Sequence, residues 1–227
     1  MDGVLVVNKE SGMTSHDVVD LIRRRFNLKK VGHAGTLDPM ATGVLVMLIG
    51  SYTKLSGQFM SEEKEYEGSL ILGASSDTDD AWGKITSSGK STDFTDDEIT
   101  AAFKNFLGES EQFPPMYSSV KVNGKKLYEL ARKGLTAVVQ PRKISIKNIE
   151  VTKISLPEVF FKVTCSKGTY VRALCADIGK ALGCSAHMGS LKRSRSGKFG
   201  IDKAVEMDQL RRMKAGDLEK VLIKIQI

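Results

Sequence analysis

The chain has few residues of the kinds that build disulfides and metal sites. Only three of its 227 residues are cysteines and three are histidines. The cysteines, Cys165, Cys175 and Cys184, are odd in number and form no C-x-x-C pair. Neither a disulfide framework nor a structural zinc site is therefore expected, and we expect reduced, mostly buried thiols.

Long apolar runs are also missing. No run approaches the roughly 18 apolar residues that indicate a membrane span. The N-terminus, MDGVLVVNKESG, lacks the basic start and the small-residue cleavage site of a signal peptide. We therefore expect a cytoplasmic protein with no membrane partner. The length and the 41% apolar share indicate a folded domain with a substantial core.

Charge is distributed very unevenly along the chain. Residues 115–200 carry 17 Lys and Arg against 4 Asp and Glu, a net charge of +13. Residues 55–114 carry 4 against 13, a net charge of −9. A basic block of this size inside a folded domain is typical of a protein that binds a polyanion such as nucleic acid. Composition alone leaves a solvated basic face equally open.

The hydrophobic pattern predicts a mixture of strands and helices without strict alternation. Predicted strands cover Gly3–Lys9, Val44–Ile49, Lys64–Gly73, Arg142–Ile154 and Val159–Cys165. Predicted helices begin after a Ser15 cap, after a Thr95 to Glu98 capping box, and at 171–182 and 203–223, with a short basic helix at 126–133. Residues 77–83 and 185–200 are predicted to be loops. This order predicts an α+β fold with a mixed, mostly antiparallel sheet flanked by helices.

One loop carries the most informative chemistry. The stretch VGHAGTLDPMATGVL presents a single carboxylate, Asp38, beside Pro39 and between glycines, directly before an apolar strand. Pro39 restricts its own backbone and that of Asp38, and the glycines permit close approach of a ligand. Asp-Pro is also an ordinary turn dipeptide, so local chemistry leaves a plain turn and a catalytic acid both open.

A lone carboxylate narrows the possible reactions. Glycoside hydrolysis needs a second carboxyl group, and a metal site needs more oxygen or imidazole ligands than are marked here. Nucleophilic attack needs one acid that a cation or hydrogen bonds keep ionised.

Five segments in the same order carry a family resemblance: GVLVVNKESGMTSHDVVDLIRR, VGHAGTLDPMATGVL, KEYEGSLILG, CSKGTYVRALCADIGKALG and AHMGSLKRSRSGKF. Together they resemble the TruB family of tRNA pseudouridine synthases over about residues 3–200. The resemblance implies the pseudouridine synthase fold. It also implies conversion of the T-loop uridine of tRNA, position 55, to pseudouridine.

The resemblance also implies roles for individual residues. Asp38 matches the catalytic aspartate, Arg172 the arginine that pairs with it, and Tyr66 the tyrosine that packs against the target base. Four further matches are implied to bind or support the substrate: His33, Tyr170, Leu191 and Lys9. The implied reaction breaks N1–C1′ and joins C5 to C1′ without oxidation or hydrolysis, so neither a cofactor nor a metal is expected.

The target uridine must leave the tRNA fold to react, at a cost of a few kcal/mol that phosphate contacts can offset. The expected contacts to the RNA backbone come from the basic block, in two groups. They are Lys121, Lys125, Lys126, Arg132 and Lys133, and Lys192, Arg193 and Arg195.

The resemblance divides the chain into a catalytic domain at residues 1–200, with an RNA-gripping insertion at about 115–142, and a segment at 201–227. That last segment is expected to be a helical tail or the remnant of a PUA-type RNA-binding domain. The expected partner is the T-arm of tRNA, bound by a monomer with no obligate protein partner. The alternatives are a non-catalytic tRNA-binding module, the catalytic subunit of a guide-dependent particle, and a hydrolase that uses Asp38.

Overall fold

A computed structural model describes residues 1–225. Its strands are β1 (Gly3–Lys9), β2 (Val31–His33), β3 (Thr42–Ile49), β4 (Lys64–Leu72), β5 (Ala74–Ser76), β6 (Ile85–Ser87), β7 (Gly108–Gln112), β8 (Lys121–Val122), β9 (Lys125–Lys126), β10 (Arg142–Ser155), β11 (Glu158–Cys165), β12 (Ala186–Ser196), β13 (Phe199–Gly200) and β14 (Val205–Glu206). Its α-helices are α1 (Ser15–Phe26), α2 (Ser56–Met60), α3 (Asp96–Lys104), α4 (Leu127–Ala131), α5 (Val171–Ala181), α6 (Met207–Arg212) and α7 (Ala215–Val221). The chain divides into two compact units, one of residues 1–66 with the segment from Leu191 onward, the other of residues 67–190.

The first unit is built on β1 and β3. They pair antiparallel from Gly3 opposite Ile49 to Lys9 opposite Gly43, and β14 adds to β1 in parallel. The outer part of β12 lies parallel to β3, with Arg193 opposite Gly43. Residues 4–7 of β1 and 44–49 of β3 are almost completely buried, which explains why both strands read as continuous apolar runs rather than alternating ones.

The N-cap of helix α1 lies one residue before the predicted one. Thr14 is the N-cap, and its side chain and that of Asp17 form a reciprocal capping box. The prediction that Ser15 caps the helix is therefore wrong, because the Ser15 side chain is buried and turned to another loop.

The second unit is built on a long antiparallel hairpin. Strands β10 and β11 pair from Ile146 opposite Cys165 to Ser155 opposite Glu158, and β7 pairs antiparallel with the start of β10. Helix α3 begins at the predicted Thr95 capping box and buries Phe103, whose ring centroid lies 5.6 Å from that of Phe161. The predicted basic segment forms the β8–β9 hairpin and α4.

The predicted fold class, an α+β fold with a mixed and mostly antiparallel sheet, is confirmed. Two further local predictions are wrong. Residues 186–196 form strand β12 rather than a loop, because the backbone of this polar sequence pairs with β3 and β13. Residues 203–223 form β14 and two short helices rather than one continuous helix. Among residues 1–225, no helix is long and apolar enough to cross a membrane.

Candidate active site

In the loop that carries Asp38, Pro39 is held by Lys9 at the end of β1 and by Gly12 just after it. The carbonyl oxygen of Pro39 accepts hydrogen bonds from the backbone N–H of Gly12 at 2.9 Å and from Nζ of Lys9 at 3.3 Å. A further bond from the N–H of Ala41 to the carbonyl of Asp38, at 3.0 Å, closes a turn over Pro39. The backbone on both sides of the carboxylate is therefore fixed, while the Asp38 residue itself stays partly exposed.

Lys9 is completely buried beneath this loop. Its ammonium group donates to the carbonyls of Glu10 and Met13, both at 2.8 Å, in addition to that of Pro39. Burial lowers the pKa of Lys9 to about 8, and the charge of Asp38 acts in the opposite direction. The expected role of Lys9 as support for the site agrees with these contacts, since its ammonium joins β1 to the Asp38 loop.

The buried ammonium predicts an unusual dependence of stability on alkaline pH. Because the pKa of Lys9 is about 8 in the folded chain and near 10.5 when unfolded, the unfolded chain binds more protons between these values. Between pH 8 and pH 10.5, the free energy of unfolding of the wild type should therefore rise by roughly 1–3 kcal/mol relative to that of Lys9→Met. Urea unfolding of both proteins across this range measures the difference. A constant difference would contradict a depressed pKa.

The middle of the loop is anchored by helix α1. The side-chain oxygen of Ser15 accepts a hydrogen bond from the N–H of Leu37 at 2.9 Å and donates to its carbonyl at 3.2 Å. Ser15 is buried, so these bonds satisfy the backbone immediately before Asp38 without water. Sequence reasoning missed this function of Ser15 because a serine at a helix start is most simply a cap.

Arg193, on β12, holds the two ends of the loop together. Its guanidinium donates from Nε to the carbonyl of Val44 at 2.7 Å and from Nη2 to that of Gly35 at 3.1 Å, with a longer contact of 3.4 Å to Thr36. Arg193 is 1% exposed, the largest fully buried side chain among those described. The assignment of Arg193 to the RNA backbone is therefore wrong, because its donors are already bound to protein carbonyls and sealed from solvent.

Gly43 makes this arrangement possible. It has a φ of +98°, and a Cβ atom there would lie 2.3 Å from the carbonyl oxygen of Arg193. Only glycine fits both the backbone conformation and the close approach of β12. Gly43, the first glycine after Asp38, thus allows β3 and β12 to pack closely beneath the loop.

The second unit contains a charged cluster around Arg172, the second residue of α5. Arg172 is 3% exposed; it donates from Nη1 to the carbonyl of Thr78 at 2.7 Å and from Nη2 to that of Tyr117 at 2.8 Å. Its Nε lies 3.8 Å from Oδ2 of Asp80, which is also buried. These contacts set the direction of the guanidinium, and its pairing with Asp38 stays a prediction.

Asp80 is a residue that the sequence did not mark. The segment 77–83 was expected to be a solvated loop, and it is a turn, but Asp80 is 8% exposed and its second oxygen accepts from Thr78 Oγ1 at 2.7 Å. A run of acidic residues between polar neighbours is most often solvent-exposed. Asp80 is buried against Arg172, which lies 92 residues away along the chain, so the local sequence did not reveal this position.

Comparison with known proteins identifies relatives over nearly the whole chain. A sequence model described as "TruB family pseudouridylate synthase (N terminal domain)" matches residues 23–171, and one for the "tRNA pseudouridylate synthase B C-terminal domain" matches residues 172–225. The chain is 45% identical to tRNA pseudouridine synthase B of Opitutus terrae, over 99% of this chain and 93% of that protein. It is 47% identical to the protein of the same name from Clostridium tetani, over 92% of this chain and 73% of that one.

This chain belongs to the TruB family. Members of this family are tRNA pseudouridine synthases, which isomerise uridine in RNA to pseudouridine. Among solved structures, a Cbf5–Nop10–Gar1 complex matches with a TM-score of 0.73 and 33% identity, over 92% of this chain. An H/ACA RNP bound to a substrate RNA containing 2′-deoxyuridine matches with a TM-score of 0.71 and 29% identity. The chain spans about half the length of these two matched chains.

The other side chains that the TruB resemblance assigns to the base lie in protected positions. Tyr66 on β4 is 9% exposed and Leu191 on β12 is 8% exposed, and both belong to the first unit. His33 ends β2, and its buried Nδ1 has no hydrogen-bond partner among the described residues. Burial and the nearby charge of Arg193 lower the pKa of His33, which favours a neutral imidazole.

Hydrogen bonds of its backbone fix the position of Tyr170. It is the N-cap of α5, and its N–H donates to Gln112 Oε1 at 2.8 Å while its carbonyl accepts from Gln112 Nε2 at 3.1 Å. Gln112 is buried at the end of β7, so this paired contact connects the start of α5 to the sheet of the second unit. Gln112 was not singled out from the sequence, where nothing distinguishes it from a surface glutamine.

Most of the remaining basic residues assigned to RNA are available at the surface. The exposed ones are Lys121, Lys125, Arg132, Lys133 and Lys192. Lys126 and Arg132 both lie over the ring of Tyr128, at 5.3 and 5.4 Å from its centroid. Arg195 is ion-paired with Glu65 at 2.6 Å, and its side chain is 33% exposed. RNA binding by these residues stays a prediction.

Proposed function

We propose that this enzyme converts uridine 55 in the T-loop of tRNA to pseudouridine, with Asp38 as nucleophile toward an extruded nucleotide. The observation that carries the proposal is the Asp38 loop, whose backbone Lys9, Ser15 and Arg193 hold from three directions. Catalytic groups need this kind of rigid support, because small misplacements of a nucleophile cost large factors in rate. An ordinary Asp-Pro turn would not need two buried cations beneath it.

The charges around the loop suit an ionised carboxylate. Lys9 and Arg193 are both buried, and the charge of Asp38 raises the pKa of Lys9, which is an attractive interaction between the two groups. Arg172 is proposed to pair with Asp38 and to hold it ionised for attack. Asp38 is partly exposed and therefore accessible to a nucleotide, whereas Lys9 and Arg193, which support its loop, are buried.

The proposed reaction is balanced within the nucleotide. The carboxylate of Asp38 adds to the base or to the sugar, the N1–C1′ bond breaks, the uracil turns, C5 bonds to C1′, and the bond to Asp38 breaks so that the carboxylate is regenerated. The proton on C5 leaves to solvent and N1 gains one, so no oxidant or reductant is consumed. Tyr66 offers an apolar surface to the uracil and excludes water, and His33 and Leu191 line the space that the base enters and leaves.

The test uses the purified chain alone with an unmodified tRNA that carries C5-tritiated uridine, in buffer that contains EDTA. We expect tritium release and one carbodiimide adduct in the T-loop, since pseudouridine and uridine have equal mass. A T-arm stem-loop should be converted as well, because the proposed contacts reach only that arm. Adducts elsewhere in the tRNA would contradict the T-loop assignment. Activity only after addition of protein partners or a guide RNA would favour the guide-dependent alternative, and activity lost in EDTA would overturn the metal-free mechanism.

Binding to tRNA should depend on the β8–β9 hairpin through its phosphate contacts. Lys121 and Lys125 are exposed on this hairpin, and each cation that meets a phosphate displaces a counterion. Changing both to alanine should reduce the magnitude of the negative slope of log K against log salt concentration by roughly 1.4–1.8. Filter binding at several salt concentrations measures the slope. The matched control changes Lys90 and Lys104, two exposed lysines of the acidic part of the chain, and should leave the slope unchanged. Equal slopes for both double variants would remove the hairpin from the interface.

A further inference from the structure

The turn between β5 and β6 presents an aromatic side chain that the proposed mechanism does not use. Trp82 is the only tryptophan in the sequence, and it is 59% exposed. At this exposure the indole presents much of its aromatic face to solvent instead of packing it in the core. Ile85, on the neighbouring strand, is also exposed at 45%.

This turn is held rigidly. The N–H of Trp82 donates to Oδ1 of Asp80 at 3.0 Å, and the N–H of Ala81 donates to the carbonyl of Met188 at 2.9 Å. At Gly83 an added Cβ would come within 2.2–2.4 Å of the side chains of Thr78, Ser76 and Asp77, so the chain closes tightly behind the indole. Trp82 is thus presented in a defined place rather than on a mobile tip.

The same carboxylate connects Trp82 to Arg172. Oδ1 of Asp80 accepts from the Trp82 backbone, and Oδ2 lies 3.8 Å from Nε of Arg172. Arg172 Nη1 also donates to the carbonyl of Thr78, four residues before Trp82. The backbone of Trp82 and the guanidinium of Arg172 therefore contact the two oxygens of one carboxylate.

The acidic neighbours do not repel RNA as strongly as the sequence suggests. Asp80 is buried against Arg172, and Oδ1 of Asp77 accepts the N–H of Lys84 at 2.7 Å. Burial raises the pKa of Asp79. The charge of Asp80 is therefore directed into the protein, Asp79 is partly buried, and Asp77 stays exposed.

We propose that the indole of Trp82 stacks on an unpaired base of the bound RNA, next to the extruded uridine. The proposal rests on the proposed function, which places Arg172 at the reaction centre. Stacking of bases on aromatic side chains tolerates any base identity and contributes substantially to the binding of single-stranded RNA. Extrusion of one nucleotide also leaves its neighbours without a stacking partner, and an exposed indole replaces that partner.

The single tryptophan makes the test direct. Tryptophan fluorescence of the wild-type enzyme is measured during titration with an unmodified T-arm stem-loop, and we expect strong quenching that saturates with binding. A fully paired RNA duplex of equal length should quench far less, because it offers no unpaired base. Absence of quenching by the stem-loop, or equal quenching by the duplex, would overturn the proposal.

Three variants test the contribution of the ring to affinity. Trp82→Ala should bind the stem-loop about fivefold to a hundredfold more weakly, whereas Trp82→Phe should stay within about threefold of the wild type because it keeps an aromatic face. Ile85→Ala, an exposed apolar residue of the same hairpin, serves as the matched control and should bind normally. Wild-type affinity for Trp82→Ala, or equal losses for the alanine and phenylalanine variants, would exclude stacking. Tritium release from the same RNA reports the proposed function separately, so an active wild type with unquenched fluorescence would refute only the role of Trp82.

Discussion

Changing Asp38 to alanine or asparagine is expected to reduce pseudouridine formation by at least roughly 10⁴-fold, with tRNA affinity within about threefold of the wild type. The reason is that both variants lack the nucleophile, while the carbonyls of Asp38 and Pro39 keep their bonds to Ala41, Gly12 and Lys9. Asparagine is close in shape to aspartate, so this variant should also keep the stability of the loop. Tritium release under single-turnover conditions gives the rate, and filter binding gives the affinity.

Two outcomes would contradict the assignment of Asp38. Turnover near the wild-type rate in either variant would place the nucleophile elsewhere. A parallel loss of binding and rate would make Asp38 a residue that binds RNA rather than one that reacts with it. The thermal unfolding midpoint should be measured for both variants, so that a loss of rate through unfolding is recognised.

Changing Arg193 to methionine is expected to have the largest effect on stability, about 3–5 kcal/mol. Methionine fills much of the same volume but leaves the buried carbonyls of Val44 and Gly35 without their donor. In a chain of this size the loss corresponds to a fall of roughly 10 °C in the unfolding midpoint. The surviving folded protein should also turn over more slowly at saturating tRNA, because both ends of the Asp38 loop lose their anchor.

Arg195 provides the matched control, since it lies two residues further along the same strand. Its guanidinium is partly exposed and pairs with Glu65 at the surface, an interaction that contributes little on average. Arg195→Met should change the free energy of unfolding by less than about 1 kcal/mol. Equal midpoints for the two methionine variants would show that Arg193 does not hold the loop. Arg193→Lys should recover only part of the stability, because an ammonium cannot reach separate carbonyls in the way that a planar guanidinium does.

Those two arginines show where reading the sequence as a charge pattern goes wrong. In SLKRSRSGKF, four basic residues stand close together, and their composition predicts a single RNA-binding face. The structure separates them: Lys192 is exposed, Arg193 is buried, and Arg195 is paired with a glutamate. In a strand, successive side chains point to opposite faces, which separates Lys192 from Arg193. Arg195 has the same parity as Arg193 and differs because it pairs with Glu65 near the surface. The prediction of a loop for this segment concealed that alternation.

The sequence by itself determined the parts that depend on neighbouring residues. The apolar runs of β1 and β3, the Thr95 capping box, the turn at Asp38-Pro39 and the ordered motifs of the TruB family could all be read directly, because their physical causes lie within a few residues. Only the tertiary structure decided what supports the site. The partner of Lys9 at Pro39 lies 30 residues away, and the partner of Arg193 at Val44 lies 149 residues away. Such contacts depend on which strands pair and what becomes buried, and a local pattern of polar residues does not contain that information.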